Sequence, residues 1–154
     1  MILAESMRLY PPVWIIGRSP EEDVSFDGYD IPKGSLLFLS PWVTHRLPSL
    51  WDDPEGFDPD RWLPERAKDL PRFAYFPFGG GPRICIGNHF AIMEATLILA
   101  IIVQRFRLEL LPGQRLALKP SVTLRQAGAG LRVRIHERKA AVKETSAGVA
   151  TAAE

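Results

Sequence analysis

Phe76-Pro77-Phe78-Gly79-Gly80-Gly81-Pro82-Arg83-Ile84-Cys85-Ile86-Gly87 contains the single cysteine of a 154-residue chain and leads straight into an apolar segment. Three consecutive glycines let a backbone take positive φ and approach a flat ligand closely, with Phe78 able to pack beneath it. The segment 89–105 that follows reads as a helix capped by Asn88 and apolar on nearly every face between Ala91 and Val103. Cys85 therefore stands just ahead of a helix start, where free N–H groups and the dipole stabilise a thiolate, and Arg83 adds positive charge. A thiolate so placed serves as a nucleophile, a redox sensor or a metal ligand. Without its surroundings, a lone cysteine reads first as a small buried apolar residue.

A helix apolar all round needs neighbours on all sides, yet the chain offers only one other convincing helix, Met1 to Tyr10. That helix begins without a capping residue and stops at Pro11-Pro12, whose rings remove donors and restrict the residue before them. Both features predict a chain truncated at its N-terminus and drawn from a larger fold. Short β signals follow at Val13–Gly17, Tyr29–Ile31 and Ser35–Ser40, around turns at Asp27-Gly28 and Pro32-Lys33-Gly34, and predict a small antiparallel sheet. From Pro41 to Pro77 the density of Pro, Trp and Asp predicts a long irregular meander with one or two helical turns. Beyond the apolar helix, Phe106–Leu111, Leu116–Leu124 and Leu131–Ile135 read as closing strands, with a turn at Pro112-Gly113. Residues 137–154 show no apolar period and read as a disordered tail.

Composition narrows the function classes. A net charge of +1, from 19 basic and 18 acidic residues without a long block of one sign, argues against a nucleic-acid or membrane-surface footprint. One Cys and three scattered His exclude an internal disulfide and a zinc site. The longest apolar run, Ala95–Val103, is far short of the roughly 20 residues that span a bilayer. The apolar residues at the N-terminus run into Glu5 and Arg8 without the form of a signal peptide, so the expectation is a cytoplasmic protein with no membrane span.

The pattern Phe78-x-x-Gly81-x-Arg83-x-Cys85-x-Gly87 fixes five residues over ten and resembles the haem-ligand signature of the cytochrome P-450 family. A phosphate-loop reading fails because no Gly-Lys-Ser/Thr follows the glycines. Glu5-Ser6-Met7-Arg8 puts a carboxylate and a guanidinium on one helix face, a spacing that in isolation means a surface pair worth a few tenths of a kcal/mol. Beside the cysteine loop it resembles the family's Glu-x-x-Arg helix. Phe57-Asp58-Pro59-Asp60-Arg61-Trp62 is similar to the family's meander motif, and the resemblance spans about residues 2–136.

The resemblance implies an α+β chain over 1–136, the C-terminal haem-binding part of the mainly α-helical cytochrome P-450 fold. It would have small antiparallel sheets, a meander and a buried helix after the Cys loop. It implies haem b (iron protoporphyrin IX) with Cys85 as axial iron ligand, Arg83 and Arg18 on the propionates, and Phe78, Gly79 and Gly87 against the ring. Glu5, Arg8 and Arg61 would form a buried structural triad. The implied activity is that of a haem-thiolate monooxygenase, inserting one atom of O2 into a small apolar organic substrate with electrons from a ferredoxin or a flavoprotein reductase. The family's long distal helix belongs upstream of the Glu-x-x-Arg helix, so residues 1–154 alone are expected to be inactive. Two alternatives stand beside this: a noncatalytic haem-binding remnant, and a thiol redox protein using Cys85 without haem. His45 reads as a sheet-edge or meander histidine, and Trp42, Trp51 and Trp62 as meander packing.

Overall fold

A computed structural model describes residues 1–128 and 130–138. The first helix, α1 (Ile2–Leu9), starts at Met1 without a side-chain cap and ends at Tyr10 ahead of Pro11. It buries Glu5, Arg8 and Leu9, which the helical repeat places on one face. Strand β1 (Ile16–Arg18) pairs antiparallel with β4 (Leu37–Leu39), Gly17 opposite Phe38. Between them β2 (Val24–Phe26) and β3 (Tyr29–Ile31) form a separate hairpin, turned at Asp27 and Gly28 with φ of 50° and 81°. Positive φ at both central residues is the turn geometry whose twist suits paired strands. The expected single sheet is thus two pairs. Val24–Phe26 was missed as a strand because it is exposed throughout and so lacks a buried alternation.

The meander holds α2 (Pro41–Thr44), a 3₁₀ turn over Pro59–Trp62 and α3 (Pro64–Ala67). Ser40 Oγ accepts from the Val43 amide to start the first, and Asp58 accepts from the Asp60 amide to start the second. Its tryptophans pack inward: Trp51 and Trp62 lie 5.8 Å apart, and Trp62 and Tyr75 4.4 Å apart. The chain then makes a 3₁₀ turn over Gly81–Arg83 and enters α4 (Asn88–Arg105).

Two expectations about α4 are corrected. Asn88 is its first residue rather than its cap: Gly87 holds the cap position, and the Asn88 side chain accepts only from the adjacent His89 amide. The helix is also not buried: none of its residues is fully covered, and Leu97, Ile98 and Ile101 are each more than half exposed. Among the described residues α1 is the one helix packed along it. Strand β5 (Phe106–Leu110) pairs with β8 (Val133–Glu137), and β6 (Leu118–Pro120) with β7 (Leu124–Gln126). The strand expected over Leu116–Leu124 is therefore the first arm of a hairpin, broken where Pro120 ends the ladder before a turn at 121–123. Glu137 closes β8 and the Arg138 amide donates to the Arg105 carbonyl; the tail expected over 137–154 lies, from residue 139, outside the described residues. Among the described residues no helix is long and apolar enough to cross a membrane.

Candidate functional site

The best-defined polar structure is built on α1. Arg8 spends all five of its N–H donors: two on the Glu5 carboxylate at 2.9 and 2.8 Å, and one each on the carbonyls of His45, Pro54 and Gly56. Glu5 in turn accepts from Arg8, from Arg61 at 3.3 Å, from the Asp58 amide at 2.9 Å and from the Trp62 indole at 3.0 Å. Arg61 donates its remaining contact to the Asp53 carbonyl at 2.7 Å. Glu5 and Arg8 are wholly buried and Arg61 nearly so. Burial pushes the Glu5 carboxyl up, but the Arg8 hydrogen bonds, the Asp58 amide, the Arg8 charge and Trp62 outweigh it and hold the group below its ordinary value. A spacing of three on a helix thus reaches across the meander, and the helix start is tied to residues 53–62.

His45 connects this network to the cysteine loop, a role that its place in an irregular stretch did not suggest. The residue is fully buried. Its Nδ1 lies 3.3 Å from the Arg8 carbonyl, and its Nε2 is 3.0 Å from the Phe76 amide, which must donate. The ring is therefore neutral with its proton on Nδ1. Burial, together with the Arg8 and Arg46 charges, depresses its pKa from 6.5 to about 4, against the opposing pull of the backbone carbonyls it faces. Tyr75 stacks on it at 5.1 Å, and the Tyr75 hydroxyl donates to the Ala4 carbonyl of α1. Contacts between residues 45 and 76 leave no mark on local sequence periodicity.

From Phe76 the loop closes on itself. The Gly79 amide donates to the Phe76 carbonyl, the Ile84 amide to Gly81, and the Cys85 amide to the Phe78 carbonyl at 3.0 Å. Gly79 and Gly81 have φ of 75° and 69°, which a side chain resists, whereas Gly80 is extended and owes its identity to space: a Cβ there would lie 2.5 Å from the Phe73 ring. Gly87 lies close to the sulfur: an added Cβ would sit 3.9 Å from Cys85 Sγ, an ordinary contact. Cys85 is a free, exposed thiol, flanked by exposed Ile84 and fully exposed Ile86.

The other sequence-predicted residues surround this loop. Arg83 is exposed in the 3₁₀ turn. Arg18 is half-buried on β1, its guanidinium donating to the Gly17 carbonyl, and it lines a cavity of about 420 Å³ with Ile16, Thr44 and Gly79–Gly81. Phe78 and Gly79 border a larger cavity of about 750 Å³ between α1 and α4, which does not reach Cys85 or Arg83. Gly79 thus separates two hollows, and the cysteine stands on the open side of the loop.

Comparison with known proteins matches residues 1–130 to the family described as Cytochrome P450. Cyclooctatin synthase of Streptomyces melanosporofaciens is 46% identical over 123 residues, covering 80% of this chain and 27% of that protein. Cytochrome P450 4F2 of Homo sapiens is 42% identical over 137 residues, covering 88% of this chain and 26% of its own. Among solved structures, retinoic-acid-bound cyanobacterial CYP120A1 aligns with a TM-score of 0.83 at 41% identity, covering 89% of this chain and 32% of that one. The chain spans about a quarter of the length of the curated relatives it matches.

Proposed function

Since this chain belongs to the cytochrome P450 family, we propose that Cys85 is the axial thiolate ligand of a haem b group and that the protein to which residues 1–136 contribute is a haem-thiolate monooxygenase. The observation that carries the reading is the exposed Cys85 sulfur, presented by a loop closed through its own amide and set at the start of an 18-residue helix. The donor set suits the group. One soft sulfur ligand, an apolar surround at Ile84, Ile86 and Phe90, and guanidiniums at Arg83 and Arg18 are what an iron porphyrin with two carboxylates asks for. Bound there, the haem would supply oxygen activation, and Cys85 would hold its iron as an electron-donating thiolate.

The chain's own residues have separate tasks in this reading. The N-terminal end of α4 begins three residues after Cys85, so the sulfur stands beside the positive end of the helix. Arg83 and Arg18 would neutralise the propionates, the Phe78 ring would pack against the porphyrin, and Gly79 and Gly87 would leave it a close, side-chain-free approach. Glu5, Arg8 and Arg61 keep α1 and the meander in place behind the loop. The substrate is a small apolar organic molecule oxidised with O2, and the electrons come from a ferredoxin or a flavoprotein reductase. Residues 1–154 alone do not turn over, because the apolar faces of α4 are open to water and solvent exclusion at the site is incomplete.

The test is spectroscopic. The full chain, loaded with hemin, reduced and exposed to carbon monoxide, shows the red-shifted Soret band of thiolate ligation, and Cys85→Ser abolishes it. A wild-type spectrum without that band overturns the reading. Alkylation of Cys85 at a rate unaffected by hemin points instead to a haem-free thiol redox protein.

A further inference from the structure

Among the described residues His45 is the one fully buried side chain whose two ring nitrogens face two different parts of the site, and the proposed chemistry makes no use of it. One side is the ion network: Arg8 donates to the His45 carbonyl at 2.9 Å, and the Arg8 carbonyl receives Nδ1–H. The other side is the cysteine loop, where Nε2 accepts from the Phe76 amide at 3.0 Å. Phe76 then anchors the loop by accepting from Gly79, and Phe78 accepts from the Cys85 amide. The ring cannot turn to trade these partners, since it is held by Tyr75 at 5.1 Å, Phe76 at 5.4 Å and Trp51 at 6.5 Å.

We infer that His45 is a positioning residue for Cys85: its Nε2 lone pair fixes the entry to the cysteine loop against α1, so that the sulfur is presented at one height and angle before any haem arrives. The inference deepens the haem-thiolate reading and rests on it for its purpose, but the mechanical link stands on the hydrogen bonds alone. It predicts that the acceptor at the Nε2 position matters more than the volume of the ring. Gln reaches that position with an amide oxygen, whereas Asn reaches only the Nδ1 position and leaves the Phe76 amide buried without an acceptor.

Amide hydrogen exchange on the full chain without haem, followed at Phe76, Gly79 and Cys85, separates the cases. His45→Asn speeds exchange at these amides by about tenfold or more, the worth of one lost hydrogen bond to a buried donor, while α1 amides keep their rates. His45→Gln stays within about threefold of wild type at the loop. In the hemin-loaded, reduced, carbon-monoxide form, His45→Asn shows a mixture of thiolate and neutral-thiol bands, and His45→Gln shows the wild-type band. Equal effects of Asn and Gln, unchanged loop exchange in both, or global unfolding of both would make His45 a packing residue and overturn the proposal. Loop loosening in His45→Asn together with a spectrum that is indifferent to Cys85→Ser would keep the positioning link and remove the haem reading.

Discussion

Around Glu5, four groups converge on one carboxylate that is wholly buried, whereas nine residues beyond Phe76 the Cys85 thiol stands open with exposed Ile84 and Ile86 beside it. The first region is polar and closed; among the described residues no buried side-chain polar atom lacks a partner. The second is apolar and open, and it continues into a helix whose Leu97, Ile98 and Ile101 are more than half exposed. Exposed apolar surface of this extent marks a place where something else binds or packs. The support is thus complete within these residues while the surface it supports is not, and His45 is the buried side chain through which one meets the other.

The comparison breaks most readily at Arg8. Arg8→Ala leaves Glu5 buried without its principal partner and orphans three carbonyls, and costs roughly 3–5 kcal/mol, on the scale of a whole domain's stability. Urea denaturation of the full chain measures it. A loss under about 1 kcal/mol would place the network among ordinary surface pairs and dissolve the contrast.

Acid sharpens the contrast through His45. In the unfolded chain this histidine takes a proton near 6.5, while in the fold it stays neutral down to about 4, between the Arg8 and Arg46 charges and under Tyr75. The folded state therefore has its full stability from this group above pH 6.5 and loses it as the pH falls towards 4, by roughly 3 kcal/mol at the limit. Glu5, whose carboxyl is also held below its ordinary value, adds to the loss under about pH 4.5. Denaturation midpoints between pH 7 and 4 trace the slope, and His45→Gln flattens its upper part. An equal slope in that variant would assign the acid sensitivity elsewhere.

In the open region the expected effects are steric. Gly80→Ala meets the Phe73 ring at 2.5 Å in a backbone conformation that alanine tolerates, so the cost is overpacking alone, about 1–3 kcal/mol, with the ring displaced. Thermal melting checks the magnitude; an unchanged melt would show that Phe73, itself at φ of 64°, moves freely.

What could be read beforehand follows range of interaction. The cysteine loop, α1 and α4 were legible because spacing within ten or so residues carries them. Glu5 and Arg8 were legible as a pair on a helix face, and Arg61 only through the resemblance, since it lies 56 residues away. His45 and Trp62 were not, because their partners are set by how the meander folds over α1. The split of Leu116–Leu124 turned on Pro120, and the exposure of α4 was legible, since a helix apolar between Ala91 and Val103 demands more cover than one other helix supplies.

The smallest effect comes from a second carboxylate that resembles Glu5 on paper. Glu109 on β5 has three cationic or potentially cationic neighbours: His136 at 2.9 Å, Arg134 at 3.6 Å and Arg107 at 3.9 Å. Like Glu5 it gathers its partners partly by position, His136 and Arg134 coming from the paired strand β8. The difference is water. Glu109, Arg107 and Arg134 are exposed and His136 is only half-buried, so the charges are screened and each side chain keeps a hydrated alternative to the pairing. Glu109→Gln therefore shifts stability by no more than about 0.5 kcal/mol, and the shift shrinks further in high salt. Glu5→Gln, with the same loss of one charge, strands two buried guanidiniums and falls in the class of Arg8→Ala. Melting of the two variants side by side, at low and high ionic strength, measures what burial does to one chemical change; comparable losses at both sites would mean that burial is not what distinguishes the α1 network.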